Sequence, residues 1–146
     1  MKIHHRFIAF LLTMIFGISI SSRAQKIKES DVPGPVKTSF AKRYPGVVSQ
    51  WEKEDQHYEA GFKMHGKTMS ALFSNDGTLL ETEITIKTQE LPLPVVTYLN
   101  SNYKGRAISE AAKITKADGT VNYEAEVEMT DLIFDSIGHF LRKQKD

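Results

Sequence analysis

The chain repeats itself, and that constrains it more than any single motif. Val32-Pro33-Gly34-Pro35-Val36 returns as Leu91-Pro92-Leu93-Pro94-Val95, and Tyr44-Pro45-Gly46 returns as Tyr103-Lys104-Gly105, both 59 residues later. Tyr58-Glu59-Ala60-Gly61-Phe62 returns as Tyr123-Glu124-Ala125-Glu126-Val127 at an offset of 65, and Phe73-Ser74-Asn75-Asp76-Gly77 as Phe134-Asp135-Ser136-Ile137-Gly138 at 61. Four anchors in the same order define two copies of one unit of about 60 residues, spanning about 32–86 and 91–143. The changing offsets place insertions in loops, where length is tolerated best. A unit of this size is marginal alone, so the two are expected to share one fold.

Each copy opens with a helix. Pro33 and Pro35 stand at the start of the first, where a missing N–H costs little. Val36, Phe40 and Tyr44 follow at i, i+4 and i+8 on one helical face, and Val95, Leu99 and Tyr103 repeat the pattern. Pro45-Gly46 and Gly105 are stop signals. The period then changes to two. Tyr58, Ala60, Phe62 and Met64 alternate with Glu59, Gly61 and Lys63, while Tyr123, Ala125, Val127 and Met129 alternate with Glu124, Glu126 and Glu128. Such alternation predicts half-buried strands. Asn75-Asp76-Gly77 signals a hairpin. It leads into a strand over 79–86, and further strands are expected around 47–53 and 107–115.

The expected fold class is therefore α+β: a tandem duplication of a helix plus about four antiparallel strands. The copies should join edge to edge as one sheet of about eight strands, with both helices on one face over a continuous core. The opposite face is left for water or a partner. Tyr58, Ala60, Phe62, Tyr123, Ala125 and Val127 are assigned to the helix side with Phe40 and Leu99.

Residues 1–24 read as a secretory signal peptide: Lys2 and Arg6, then an uncharged apolar run from Phe7 to Ile20, then Ser22-Arg23-Ala24 ahead of a cut before Gln25. The mature chain, 25–146, is expected to be a single domain with no membrane span, periplasmic or secreted. Cleavage removes Lys2, Arg6 and Arg23 and takes the formal net charge from +1 to −2. That balance argues against a nucleic-acid partner. The chain has no cysteine, which excludes disulfides, thiolate nucleophiles and cysteine-ligated metals.

The Leu-Pro-x-Pro helix start, the Tyr-Pro-Gly stop, the Tyr-Glu-Ala strand and the Phe-x-x-x-Gly hairpin resemble the PepSY-like, beta-lactamase-inhibitor-protein-like domains of exported Bacteroidetes proteins. The resemblance runs from about Val32 to Leu141. The second copy departs from it where Lys104 replaces the turn proline and Ile137 the turn acid. The resemblance implies a non-enzymatic periplasmic or secreted binding domain, with inhibition of a peptidase or other hydrolase as one role.

No catalytic constellation is present. His57, His65 and His139 lack the spacing that brings two imidazoles onto one metal. No serine has a G-x-S-x-G setting, and Asn75-Asp76-Gly77 lacks the other acids of a calcium loop. The expectation is no catalytic residue, no metal and no cofactor. Candidate partner-binding residues are Glu124, Glu126 and Glu128, which strand alternation would aim to one side, with Glu59 and Lys63 on the matching face of the first copy, and Trp51. For Trp51 packing in the core is the favoured reading, and the polar face also reads as a solvated one. The leading expectation is recognition of a protein or peptide in the cell envelope. The alternative is an envelope sensor of a small ligand or ion, which a closed apolar pocket between helices and sheet would favour.

Overall fold

The structure is a computed structural model and describes residues 25–145. Two helices, α1 (Gly34–Arg43) and α2 (Leu93–Asn102), are set among nine strands: β1 (Gln25–Ile27), β2 (Ser49–Glu54), β3 (His57–Met64), β4 (Lys67–Ser74), β5 (Leu79–Thr85), β6 (Glu110–Lys116), β7 (Val121–Glu126), β8 (Thr130–Asp135) and β9 (Phe140–Lys145). The strands form one antiparallel sheet in strict sequence order. Every neighbour in the sheet is thus a neighbour in the chain; β1 reaches β2 through α1 and β5 reaches β6 through α2, while the other connections are short hairpin turns.

The sheet has nine strands rather than about eight because Gln25–Ile27 adds an edge to β2, with Ile27 opposite Trp51. The end of β5 makes the equivalent approach in the second unit, where the Ile86 N–H donates to the Ala111 carbonyl. β5 therefore closes the first unit and opens the second. In both units a 3-10 turn, Glu29–Asp31 or Thr88–Glu90, then leads to the Pro-x-Pro helix start.

The helices begin and end as their residues dictate. Pro33 and Pro92 occupy the N-cap, with Pro35 and Pro94 inside the first turn, where no N–H is needed. Gly46 and Gly105 sit beyond the C-termini at φ of 74° and 75°, the left-handed conformation glycine adopts at least cost. The turn survives without its proline at Lys104, because the N–H of Arg106 still reaches the Tyr103 carbonyl at 3.0 Å, as that of Val47 reaches Tyr44 at 3.2 Å.

Both helices cover the same face. Beneath α1, Val36 and Phe40 pack with Trp51, Tyr58, Ala60, Phe62 and Phe73. The Phe40 ring meets those of Trp51 and Phe62 edge-on at 5.4 and 5.3 Å. Beneath α2, Val95 and Leu99 pack with Ala111, Ala125, Val127, Leu132 and Phe134, and Tyr123 joins from a half-buried position. The expected face assignments thus hold. The core, however, is two clusters and not one. Between the helices this side of the sheet carries Thr82, Lys113 and Thr115, all half-buried and too polar to continue an apolar layer.

Two local expectations need correction. The strand that alternation runs through Met129 ends at Glu126. Glu128 and Met129 form a two-residue turn, at φ of 54° and 58°, closed by reciprocal hydrogen bonds between Val127 and Thr130. The length changes between repeats lie in hairpin arms rather than in loops alone. The β3–β4 hairpin turns at His65-Gly66 and is longer than its β7–β8 counterpart.

Candidate functional site

The face away from the helices is built by register. Cross-strand partners share a face, so each row of partners runs perpendicular to the strands. One row is Lys26, Glu52, Glu59, Leu72, Glu81 and Lys116. The next is Gln50, Gly61, Ser70, Glu83, Ile114 and Asn122. Beyond it stand Lys63 and Thr68, followed by Thr85, Ala112, Glu124, Ile133 and Arg142. Glu110, Glu126, Asp131 and Gln144 form a further row. Ala112, Ile114 and Ile133 are nearly fully buried on this uncovered face, between the longer side chains of their register neighbours.

A groove of about 1020 Å³ opens on the first-unit half of the face. Its floor includes Gly61 and Ser70, with Glu59 to one side, Lys63 and Thr68 to the other, and Glu83 and Glu110 towards the second unit. Thr85 Oγ1 donates to Glu110 Oε1 at 3.4 Å.

Carboxylates dominate the surroundings. Burial pushes the Glu83 carboxyl up to about 7, and the charges of Glu59, Glu110, Glu81 and Asp131 push the same way. Glu54 is raised by burial first, then by Glu59 and Asp55. Away from this face the hairpin acids behave oppositely. Asp76 lies below the usual carboxylate range, chiefly through the Ser74 hydroxyl, and Asp135 through the His139 N–H. Asp135 also explains how the second unit dispenses with a turn acid at Ile137: its carboxylate stands two residues earlier and accepts from the N–H groups of Ile137 and His139 at 3.0 and 2.8 Å.

The structure separates the residues singled out by sequence. Glu59 and Lys63 lie on the open face and border the groove. Glu124 and Glu126 lie on the same face in the second unit, where Glu126 accepts a hydrogen bond from Ser109 Oγ at 2.8 Å. Glu128 does not join them. It belongs to the β7–β8 turn and forms an exposed ion pair with Arg106. Trp51 is on the opposite side of the sheet and only 4% exposed, so it serves the core. His57 begins β3, His65 is a turn residue, and His139 pairs with Asp135 at 3.2 Å. Among the described residues, no group of three or more His, Asp or Glu side chains is arranged to hold a metal. Sequence reasoning missed Glu83, Glu81, Glu110 and Asp131, along with the small floor residues Gly61 and Ser70. The alternation of Glu81 and Glu83 with Thr82 and Ile84 was the available signal for the first two.

The doubled unit, one helix backing one antiparallel meander with the reverse face uncovered, defines a class of duplicated α+β domain. The chain belongs to the PepSY-like, beta-lactamase-inhibitor-like family, whose model matches twice, at residues 18–80 and 64–142. Solved structures share the fold. A protein from Bacteroides eggerthii, proposed to be periplasmic, superposes with a TM-score of 0.68 at 18% identity over 77% of this chain and 88% of its own. A DUF2874 family protein from Bacteroides ovatus gives 0.63 at 23% identity over 77% and 86%. A BLIP-like protein from Bacteroides fragilis gives 0.60 at 22% identity over 77% and 85%. No curated protein sequence matches the chain at a significant level.

Proposed function

We propose that the protein is a non-enzymatic periplasmic or secreted binding domain that receives a protein or peptide on its open sheet face, in the manner of a hydrolase or peptidase inhibitor. One observation carries this reading: both helices lie on one side of the sheet, and the uncovered side holds a wide groove with charged walls. The groove opens on the sheet face rather than between helices and sheet, which favours a protein partner over a small enclosed ligand. The family and the B. fragilis BLIP-like protein support an inhibitor-like role. The periplasmic assignment proposed for the B. eggerthii neighbour supports the location, as does the absence, among the described residues, of any helix long and apolar enough to cross a membrane.

Glu124 and Glu126 present two carboxylates on this face beside Glu110 and Asp131, and such a surface steers a basic partner at low salt. The test is capture from an envelope extract by the protein and by its Glu124→Lys/Glu126→Lys variant, followed by an activity assay on what is captured. A partner held by the first and released by the folded variant, with hydrolase activity suppressed in the complex, is the expected result. Equal capture by both proteins would remove Glu124 and Glu126 from the binding surface.

A further inference from the structure

We propose that the groove on the open face is a slot for one lysine or arginine side chain of a partner protein, with its stem over Gly61 and Ser70 and its cation among Glu59, Glu83 and Glu110. This rests on the reading of the open face as a protein-binding surface and names what part of that surface receives. Three observations carry it.

The first is shape. The row through Gln50, Gly61, Ser70 and Glu83 has its two smallest residues side by side on adjacent strands. Glu59 and Leu72 stand in the row on one side, and Lys63 and Thr68 on the other. Small residues between taller ones make a trough across the strands, and Glu83 closes its inner end. Gly61 to Glu83 covers two strand spacings, roughly 9–10 Å. An extended lysine side chain and a glutamate side chain reaching towards it fit that span.

The second is access. β1 pairs only with Trp51, Glu52 and Lys53, so the outer end of the trough at Ser49 and Gln50 lies beyond the edge strand. Val48 stands there 89% exposed, beside Val47 in the groove wall. An apolar mouth suits the aliphatic part of a long side chain, whose charged head continues inwards.

The third is charge. The charges of Glu59, Glu110, Glu81 and Asp131, from β3, β6, β5 and β8, all bear on Glu83 at the inner end. Glu52 and Glu54 lie further out on β2. The cations on this part of the face are Lys63 on the wall, Lys26 opposite Glu52 and Lys116 beyond Glu81. The acids are spread over several strands and form no compact metal-holding group among the described residues. An extended organic cation fits such a distribution better than a bare ion.

Glu83 adds a pH signature. Its carboxyl is held up to about 7, first by burial and then by its acidic neighbours. A bound cation favours the ionised form and displaces the proton, so binding strengthens as pH rises from about 6 to about 8.

The test is an NMR titration of the 15N-labelled protein with the tripeptide amide acetyl-Ala-Lys-Ala and its norleucine counterpart, which keeps the stem and lacks the charge. The lysine peptide should move the amide signals of Gly61, Ser70 and Glu83 at millimolar concentration, and the norleucine peptide should not. Gly61→Leu fills the trough. A Cβ there meets nothing nearer than the Gln50 carbonyl oxygen at 3.9 Å, so the variant is expected to fold. It should bind the lysine peptide at least about tenfold more weakly, and Glu83→Gln should abolish the gain between pH 6 and pH 8. Equal responses to the two peptides, no response at Gly61, or unchanged binding by a folded Gly61→Leu would overturn the slot. Were the slot to fail while Glu124→Lys/Glu126→Lys still released a captured partner, the open-face reading would stand without it. Binding of the lysine peptide with no effect of charge reversal on capture would support the slot alone.

Discussion

Gly77 lies directly against Pro35. A Cβ placed on Gly77 would stand 2.5 Å from the Pro35 carbonyl oxygen, and one on Gly138 would stand 2.7 Å from the Pro94 Cβ. The Pro-x-Pro helix start and the Phe-x-x-x-Gly hairpin, some 40 residues apart in each copy, are therefore two halves of one contact. It presses the tip of a hairpin onto the first turn of a helix.

Gly77→Ala should accordingly cost more than Gly46→Ala. Both residues have positive φ, 85° and 74°, and share that penalty of about 1 kcal/mol. Only Gly77 adds a backbone clash, for a total of about 2–4 kcal/mol. Urea denaturation of the two variants compares them, and equal losses would show that the helix–hairpin contact yields without cost.

Phe62→Ala should destabilise by about 3–5 kcal/mol, because the ring is buried against both Phe40 and Tyr44. Glu128→Ala should change stability by at most about 1 kcal/mol, since its ion pair with Arg106 is exposed. Similar losses from both substitutions would contradict the burial of Phe62 or the exposure of the Glu128–Arg106 pair.

The β7–β8 turn should accept Asn-Gly in place of Glu128-Met129 with a gain of about 0.5–1 kcal/mol, as both positions have positive φ and Met129 is 79% exposed. Thermal denaturation measures the gain. A loss would mean that the Glu128 side chain, and not the turn geometry, holds the hairpin.

Glu83 makes stability depend on pH in an unusual direction. Its folded value, about 7, is above the ordinary 4.5, so the folded state holds a proton that the unfolded state releases between those two values. The contribution of Glu83 is therefore most favourable below about 4.5 and declines as pH rises through 7. Glu83→Gln, which stays neutral, should exceed the original protein by about 1–3 kcal/mol at pH 8 and match it near pH 4. Denaturation at the two pH values tests this, and a constant difference would place Glu83 in water.

Much of this architecture is written in local pattern. Spacing of Val36, Phe40 and Tyr44 implies a helix face, and alternation of Tyr58, Ala60 and Phe62 implies a strand face, because each depends only on the repeat of its own backbone. Duplication follows from matched anchors. Local pattern failed at Glu128, where an apolar–acid alternation continued past the point at which the chain turns. It also failed at the strand count, because Gln25–Ile27 becomes a strand only by pairing with β2.

The groove was decided by tertiary structure alone. Gly61, Ser70 and Glu83 become neighbours only once three strands are in register, and no spacing within one strand predicts a row across several. The raised carboxyl of Glu83 has the same origin. Burial and the summed fields of acids on β3, β5, β6 and β8 act on one group, and neither exists before the sheet closes around it. Sequence periodicity determines which way each side chain points. Strand register determines which side chains meet, and that meeting makes the slot.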